Sequence, residues 1–409
     1  MTSQGGIGII PEQVLLALLE YSLNRSVLTN KAGLMVKMSY GNERVFAGRY
    51  GLLAECPFDT RFPVGSISKV KVLGEILSLV SEGKVVLNEQ IKAYLPWLAD
   101  SAVGQKQIFT IFNHSTGLSR DGLWGNGITP EYPSEVELRA YVRECSLVED
   151  IVWKYSNIGF EIARMIIESV TGRVYPNSLS RKNDLQVSLY GFADEGSLIA
   201  VPHEDPKAMT ASIGQYMSLD EIITLYQSTV QKYSKFIFDE QYRVERAPEP
   251  VWLLGVSEWQ DVKEEVYHGH QGNGYGYSVK VAVTQSLEHS VVIFSNVIKY
   301  PVHEISNKLL RIAKLLSATK LKSAVGWKVT KFQNRTLALL VAYNSESAFF
   351  FREGNHTFYD WVMQADGDIT TGALINRGGT NAFIGEIATI NQEELTIGPY
   401  KLEKKNKLL

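Results

Sequence analysis

Apolar residues recur along the chain first at helical spacing, then at strand spacing, and the alternation of the two predicts its elements. Leu15, Leu18, Leu19 and Leu23 share one face of a helix predicted over residues 11–24, with Pro11 in its first turn. Glu12 and Glu20 interrupt that apolar run, and no Lys or Arg precedes it, so it reads as an amphipathic helix rather than a leader. Ala32 to Ser39 and Arg44 to Arg49 alternate apolar and polar positions about Tyr40-Gly-Asn, which predicts a hairpin. Over residues 66–82 helical spacing returns with Val70, Val72, Leu73, Ile76, Leu77 and Val80, and Gly83 ends the pattern. Residues 134–147 and 158–172 repeat it, and Ser218-Leu-Asp-Glu carries the signature of a helix N-cap with acidic residues in the first turn.

From Tyr277 the period becomes that of strands, with SVKVAVTQ and SVVIFSNV joined by a polar turn at Ser286 to His289. A last amphipathic helix is predicted near 301–316, a polar stretch over 317–326, and short alternating strands beyond, among them TLALLVAY, SAFFFREG and HTFYDWVMQ. The expected fold is α/β of the α+β kind: an antiparallel sheet flanked by helices with a helical lobe over residues 1–320, and a small antiparallel β domain over 326–409. The aromatic run Phe349-Phe350-Phe351 is expected in the core of that second domain.

Composition narrows the function classes. A chain of 409 residues, 45% hydrophobic and 21% charged with a net charge of −3, is an ordinary globular composition with no basic excess for a phosphate backbone, so nucleic acid is not an expected partner. The two cysteines, Cys56 and Cys145, build no disulfide framework, and each is expected as an inert thiol. No CxxC or His/Cys cluster suggests a metal, and nothing calls for a cofactor. No apolar run is long enough for a transmembrane helix, so no membrane is expected and the protein is placed in the cytoplasm.

The chemistry is carried by three short segments. Ser66-Ile67-Ser68-Lys69 stands where a loop becomes a helix. One helical turn separates residues i and i+3, which brings the lysine amine to the serine hydroxyl, and a serine is a poor nucleophile until a base takes its proton. Burial lowers a lysine towards the range where it does so. Alone, Ser-x-x-Lys arises by chance, and Ser66 would read as a helix cap beside a solvated lysine. Tyr155-Ser156-Asn157, ahead of a helix, and His270-Gln271-Gly272 with Asn273 supply the company that reverses this.

With these segments in order the chain resembles the serine β-lactamase, penicillin-binding protein and esterase superfamily, including class C-like esterases and D-aminopeptidases that carry His-x-Gly as the third element. Asn113-His-Ser-Thr-Gly-Leu, Val86-Leu-Asn-Glu-Gln with Tyr94-Leu-Pro, and Phe294-Ser-Asn-Val extend the likeness over much of residues 32–300. The resemblance implies that Ser66 forms an acyl-enzyme while Lys69 and Tyr155 share the proton traffic, with the choice of base left open. It also implies a positioning role for Asn157, and an oxyanion hole from the backbone N–H groups of Ser66 and of Asn273, just beyond Gly272. His270 stands where relatives usually carry lysine; histidine grips a substrate carboxylate less near neutral pH, which argues against efficient penicillin hydrolysis.

Other residues are weighed against plainer roles. Trp124, in the loop after the Asn113 segment, is expected either to line the acyl pocket or to plug the core. Asn157 suits an N-cap as well as a contact to Lys69. His114 is expected to tie its loop, and His268 to lie outside the motif. Residues 177–210 match the family poorly and are where specificity is expected. The resemblance further admits a lipocalin-like C-terminal domain and homo-oligomers. The expected partner is a small acyl or peptide substrate, and three readings stand: hydrolysis, transacylation as in cyclising enzymes of natural-product pathways, and ligand binding without catalysis.

Overall fold

The computed structural model describes residues 12–405 except 31, 41–43, 125–130, 150, 151, 177–188, 193–197, 202–204, 246–250, 261–265, 319–326, 345, 346, 354–358, 367–372, 378–382, 392 and 398. Helix α1 (Glu12–Asn30) runs past the predicted end because Val27 is also buried and Ser26 is tied to the Tyr300 hydroxyl at 2.6 Å. Strands β1 (Gly33–Tyr40) and β2 (Arg44–Gly51) form the predicted hairpin, Tyr40 facing Arg44; its turn lies outside the described residues.

Strand β3 (Phe62–Pro63) leads through a 3-10 turn, Gly65–Ile67, into α2 (Ser68–Ser81). With α3 (Phe109–Phe112), α4 (Glu135–Glu144) and α5 (Ile158–Thr171), α2 builds the helical lobe. Gly172 ends α5 at φ +68°, a backbone state that glycine adopts without strain. Strands β4 (Leu189–Phe192) and β5 (Leu198–Val201) pair with each other, and β6 (Tyr216–Met217) pairs with β3. Ser218 closes the predicted cap of α6 (Leu219–Ile237) as a capping box with Glu221.

The remaining strands of this half are β7 (Val251–Trp252), β8 (Ser257–Gln260), β9 (Val266–Gly274), β10 (Tyr277–Thr284) and β11 (Ser290–Ser295), followed by α7 (Val302–Ala318). They complete a seven-stranded antiparallel sheet in the order β2-β1-β11-β10-β9-β8-β7. Its two faces follow the strand period of two. Met35, Val279, Val281, Val292 and Phe294 point into the lobe of α2, α5 and α6, while Leu34, Val36, Ala282, Val291 and Ile293 pack under α1 and α7.

Beyond α7, eight antiparallel strands close into a barrel: β12 (Lys328–Gln333), β13 (Ala338–Tyr343), β14 (Ser347–Glu353), β15 (Tyr359–Asp366), β16 (Ala373–Arg377), β17 (Phe383–Ile390), β18 (Glu394–Ile397) and β19 (Tyr400–Lys405). Closure removes sheet edges, and an eight-stranded antiparallel barrel is the lipocalin-like architecture that the resemblance admits for the C-terminal domain. Leu339 and Val341 pack with Phe332 and Leu402, whereas Leu340 and Ala342, one step out of phase, pack against the α1 and α7 layer. That helical layer is therefore shared by sheet and barrel. Part of the stretch predicted as a polar connection is helical, since α7 runs to Ala318; residues 319–326 and the side chains of Phe349-Phe350-Phe351 lie outside the described residues.

Candidate active site

The turn Gly65–Ile67 places Ser66 against the end of β9. Gly65 has φ +49°, and a Cβ there would meet the Tyr277 hydroxyl at 2.9 Å and the Asn273 backbone nitrogen at 3.2 Å; a Cβ on Gly272 would fall 2.0 Å from the Val64 carbonyl. Two backbones thus come closer than side chains allow, and glycine is required on both. The approach puts the N–H of Asn273 beside the Ser66 turn.

One helical turn on, Lys69 is fully buried and Ser66 is 7% exposed. The Lys69 Nζ lies 3.0 Å from Ser66 Oγ, 2.6 Å from Asn157 Oδ1 and 2.8 Å from the Ser212 carbonyl oxygen. The Tyr155 hydroxyl donates to Ser66 Oγ at 2.8 Å. Asn157 occupies the N-cap position of α5 but its side chain makes no cap bond. Its oxygen faces Lys69, its amide donates to Asp121 Oδ1 at 2.5 Å, and Ser156 Oγ takes the helix N–H of Gly159 instead. Asp121 also pairs with Arg120 at 3.3 Å, and the Arg120 guanidinium lies 4.9 Å from the centre of the Tyr155 ring.

An aromatic cluster supports this group from behind. His114, at φ +61°, lies against Tyr155 with ring centres 4.3 Å apart and planes tilted by 30°, accepts the Ser156 N–H on Nδ1 and meets Trp252 edge-on at 4.7 Å. His270 lies 5.8 Å from Trp252. A carbonyl only accepts, so His270 Nδ1 donates to the Gln271 oxygen at 3.0 Å and Nε2 is left with its lone pair and no hydrogen-bond partner.

The Beta-lactamase family model matches residues 28–314. The chain belongs to the beta-lactamase family. A Bacillus subtilis (strain 168) protein provisionally named penicillin-binding protein PbpX is 24% identical over 255 residues, covering 58% of this chain and 62% of that one. This chain thus spans about three fifths of the length of the curated relative it matches. A penicillin-binding protein homologue from Pyrococcus abyssi, described as octameric, has a TM-score of 0.60 at 16% identity over 95% of this chain and 100% of its own. A D-stereospecific amidohydrolase from Streptomyces sp. has a TM-score of 0.58 at 20% identity over 68% of this chain and 94% of its own. At these identities the likeness is one of fold. Membership in the beta-lactamase family leaves the chain's reaction open.

Electrostatics separates Lys69 from Tyr155 in this beta-lactamase-family site. Burial, reinforced by the Arg120 cation, holds Lys69 well below the usual lysine range, against the opposing pull of Asp121 and Glu161. Burial pushes the Tyr155 phenol up to about 12, despite the hydrogen bond to Ser66. His270 is pushed down to about 3, by burial first and then by the Lys69 charge. A family position that usually carries a cation is here a neutral imidazole.

Of the residues singled out from sequence, Ser66, Lys69, Tyr155 and Asn157 form one hydrogen-bonded group, with Gly272 and Asn273 against it through the glycine contacts. Trp124 is 9% exposed and packs edge-on against Tyr141 of α4 at 5.2 Å, as a core residue. His268 shares the lobe face of β9 with His270 but lies further along the strand, bonded to the Tyr226 hydroxyl at 3.0 Å. Both thiols are half-buried, and burial pushes Cys145 up. Sequence reasoning missed Asp121, Ser212, Trp252 and Glu161. Glu161 carries a signal, an acidic residue inside the apolar pattern of α5; Ser212 acts through its backbone and has none. Of the predicted specificity segment, residues 177–188, 193–197 and 202–204 lie outside the described residues.

Proposed function

We propose that the protein cleaves an ester, amide or peptide bond through an acyl-enzyme on Ser66, with Lys69 as the base and Tyr155 as the acid. The observation that carries this is the set of partners around Lys69 Nζ. Two of the three, Asn157 Oδ1 and the Ser212 carbonyl, can only accept. A neutral amine gives its two hydrogens to them and turns its lone pair to Ser66 Oγ, which is the arrangement a general base needs.

Lys69 then takes the Ser66 proton as Oγ attacks the carbonyl. The oxyanion meets the backbone N–H groups of Ser66 and Asn273. Tyr155, protonated at neutral pH because its phenol is raised to about 12, gives its proton to the leaving group. It recovers one from the water that resolves the acyl-enzyme, while the Lys69 ammonium returns its proton to Ser66 Oγ as the acyl group leaves. With His270 neutral, nothing at that position pairs with a substrate carboxylate, so neutral esters, amides and peptides fit better than penicillins. The amide reading draws on the Streptomyces amidohydrolase, and a homo-oligomer on the octameric relative; light scattering reads the latter.

The test is a fluorophosphonate probe and a panel of p-nitrophenyl esters on wild type and Ser66→Ala, with peptide mapping of the label. Label on Ser66 with ester turnover, both lost in Ser66→Ala, is the expected result. Label with turnover only when an amine or alcohol is added makes the enzyme a transacylase; no label and no turnover makes it a binding protein.

A further inference from the structure

Glu161 is fully buried on α5, one helical turn beyond Asn157. Its carboxylate accepts the Ser212 N–H at 2.8 Å, the Ala211 N–H at 3.3 Å and Arg164 Nε at 3.0 Å. Arg164 also donates to Glu168 at 3.0 Å and to Glu135 at 2.6 Å. Those two carboxylates are less buried than Glu161 and already balance the charge of the guanidinium, leaving Glu161 only its Nε–H. A third carboxylate, driven fully inside and turned onto two successive backbone N–H groups, is costly and needs a reason. The reason lies on the other side of Ser212: its carbonyl is one of the two acceptor-only oxygens that fix Lys69.

We propose that Glu161 is a positioning residue for Lys69, clamping residues 211 and 212 so that the Ser212 carbonyl stays on the lysine nitrogen and the remaining valence of that nitrogen is aimed at Ser66. The inference rests on the reading of Lys69 as the base. Besides placing an oxygen, Glu161 brings a buried negative charge near Lys69, which favours the ammonium. The other groups facing Lys69 are Arg120 and Asp121 from the loop before the Tyr155 segment, Tyr155 itself, and the imidazoles His114 and His270, both held neutral by burial. Arg120 opposes the ammonium, and Asp121 and Glu161 support it.

Glu161→Gln keeps the shape but turns an NH2 towards donors and removes the charge. The measurements are kcat/KM against pH with a p-nitrophenyl ester, and a 13C NMR titration of the Lys69 Cε in lysine-labelled protein, its signal assigned by its loss in Lys69→Met. In Glu161→Gln the plateau of kcat/KM is expected to fall about tenfold, mostly in kcat, the loss of one charged hydrogen bond. The acidic limb and the Lys69 titration move to lower pH. Glu161→Asp, which keeps the anion but withdraws it by a methylene, lowers the plateau and leaves the titration near its wild-type position.

A Lys69 titration unmoved in Glu161→Gln overturns the inference, because a merely structural glutamate would lower the rate at every pH alike. If Glu161→Gln does not fold, the aspartate variant decides, and a wild-type plateau there overturns it. Absence of Ser66 labelling in wild type defeats the reading of the site instead, while the NMR titration still tests Glu161.

Discussion

Two lysines are buried on opposite sides of the same sheet, and they differ in what surrounds the nitrogen. Lys69, on the lobe side, meets three oxygens within 3.0 Å. Lys280, on β10 beneath α7, is 3% exposed and sits over the face of Trp259, 3.8 Å from the ring centre. Burial lowers both amines, Lys280 to about 7 against the opposing pull of Glu304. A lowered lysine is therefore not by itself a mark of catalysis. What distinguishes Lys69 is that two fixed acceptors and the Ser66 hydroxyl surround its nitrogen, an arrangement that on the proposed reading consumes two of its hydrogens and leaves its lone pair to the hydroxyl. Lys280 has an aromatic face, which attracts a cation and has no proton to give.

The largest expected effect tests that distinction directly. Lys69→Met is expected to slow acylation of Ser66 at least about 10³-fold, as loss of the base does in comparable serine enzymes. Lys280→Met is expected to stay within about threefold of wild type, because the sheet separates it from the nucleophile. The rate of fluorophosphonate labelling measures both. A comparable loss in Lys280→Met would end the contrast and make the sheet itself part of the catalytic apparatus.

The same two residues show what the sequence makes legible. Lys69 is found because its position relative to Ser66 is a chemical pattern of fixed spacing, and Tyr155, Asn157 and the His270 segment are found the same way. The strands and helices follow from apolar periodicity, which also separates the faces of β10. Yet a lysine alternating with valines on an antiparallel strand reads as a solvent-facing residue. Lys280 is buried because α7, from a later part of the chain, covers that face. Ser212 is hidden for a related reason, since a backbone carbonyl acts whatever side chain it carries. The Asn157 cap fails because a competing tertiary partner, Lys69, takes the oxygen that the helix end would have used.

The next effect is on stability. A group whose folded pKa lies below its unfolded value is released from its proton on folding, so stability rises with pH between the two values and the penalty is greatest below the lower one. For Lys280 the window runs upward from about 7 towards the ordinary lysine value. Lys280→Met removes the penalty. It is expected to raise unfolding free energy by about 3 kcal/mol at pH 6, with the cation–π attraction set against the desolvation cost, and by much less at pH 9.5. Urea denaturation at the two pH values measures this. Equal gains at both would mean that the amine is not lowered and that only packing has changed.

The smallest effect sharpens the contrast most, because it separates the ring from the burial around it. Trp259→Phe weakens the aromatic face under Lys280 and removes the bond from Trp259 Nε1 to Asn307 Oδ1, 3.0 Å long. Lost area and the lost hydrogen bond cost the same at any pH, but the ring attracts only the ammonium. The destabilisation is therefore expected to be larger at pH 6 than at pH 9.5 by about 0.5–1 kcal/mol. His303, held down to about 4 by burial and then by the Lys280 charge, stays neutral across that window and does not confuse the difference. In Lys280→Met the same substitution should show no pH-dependent part. If it still does, the ring is answering to some other titrating group, and the cation over Trp259 ceases to be what sets Lys280 apart from Lys69.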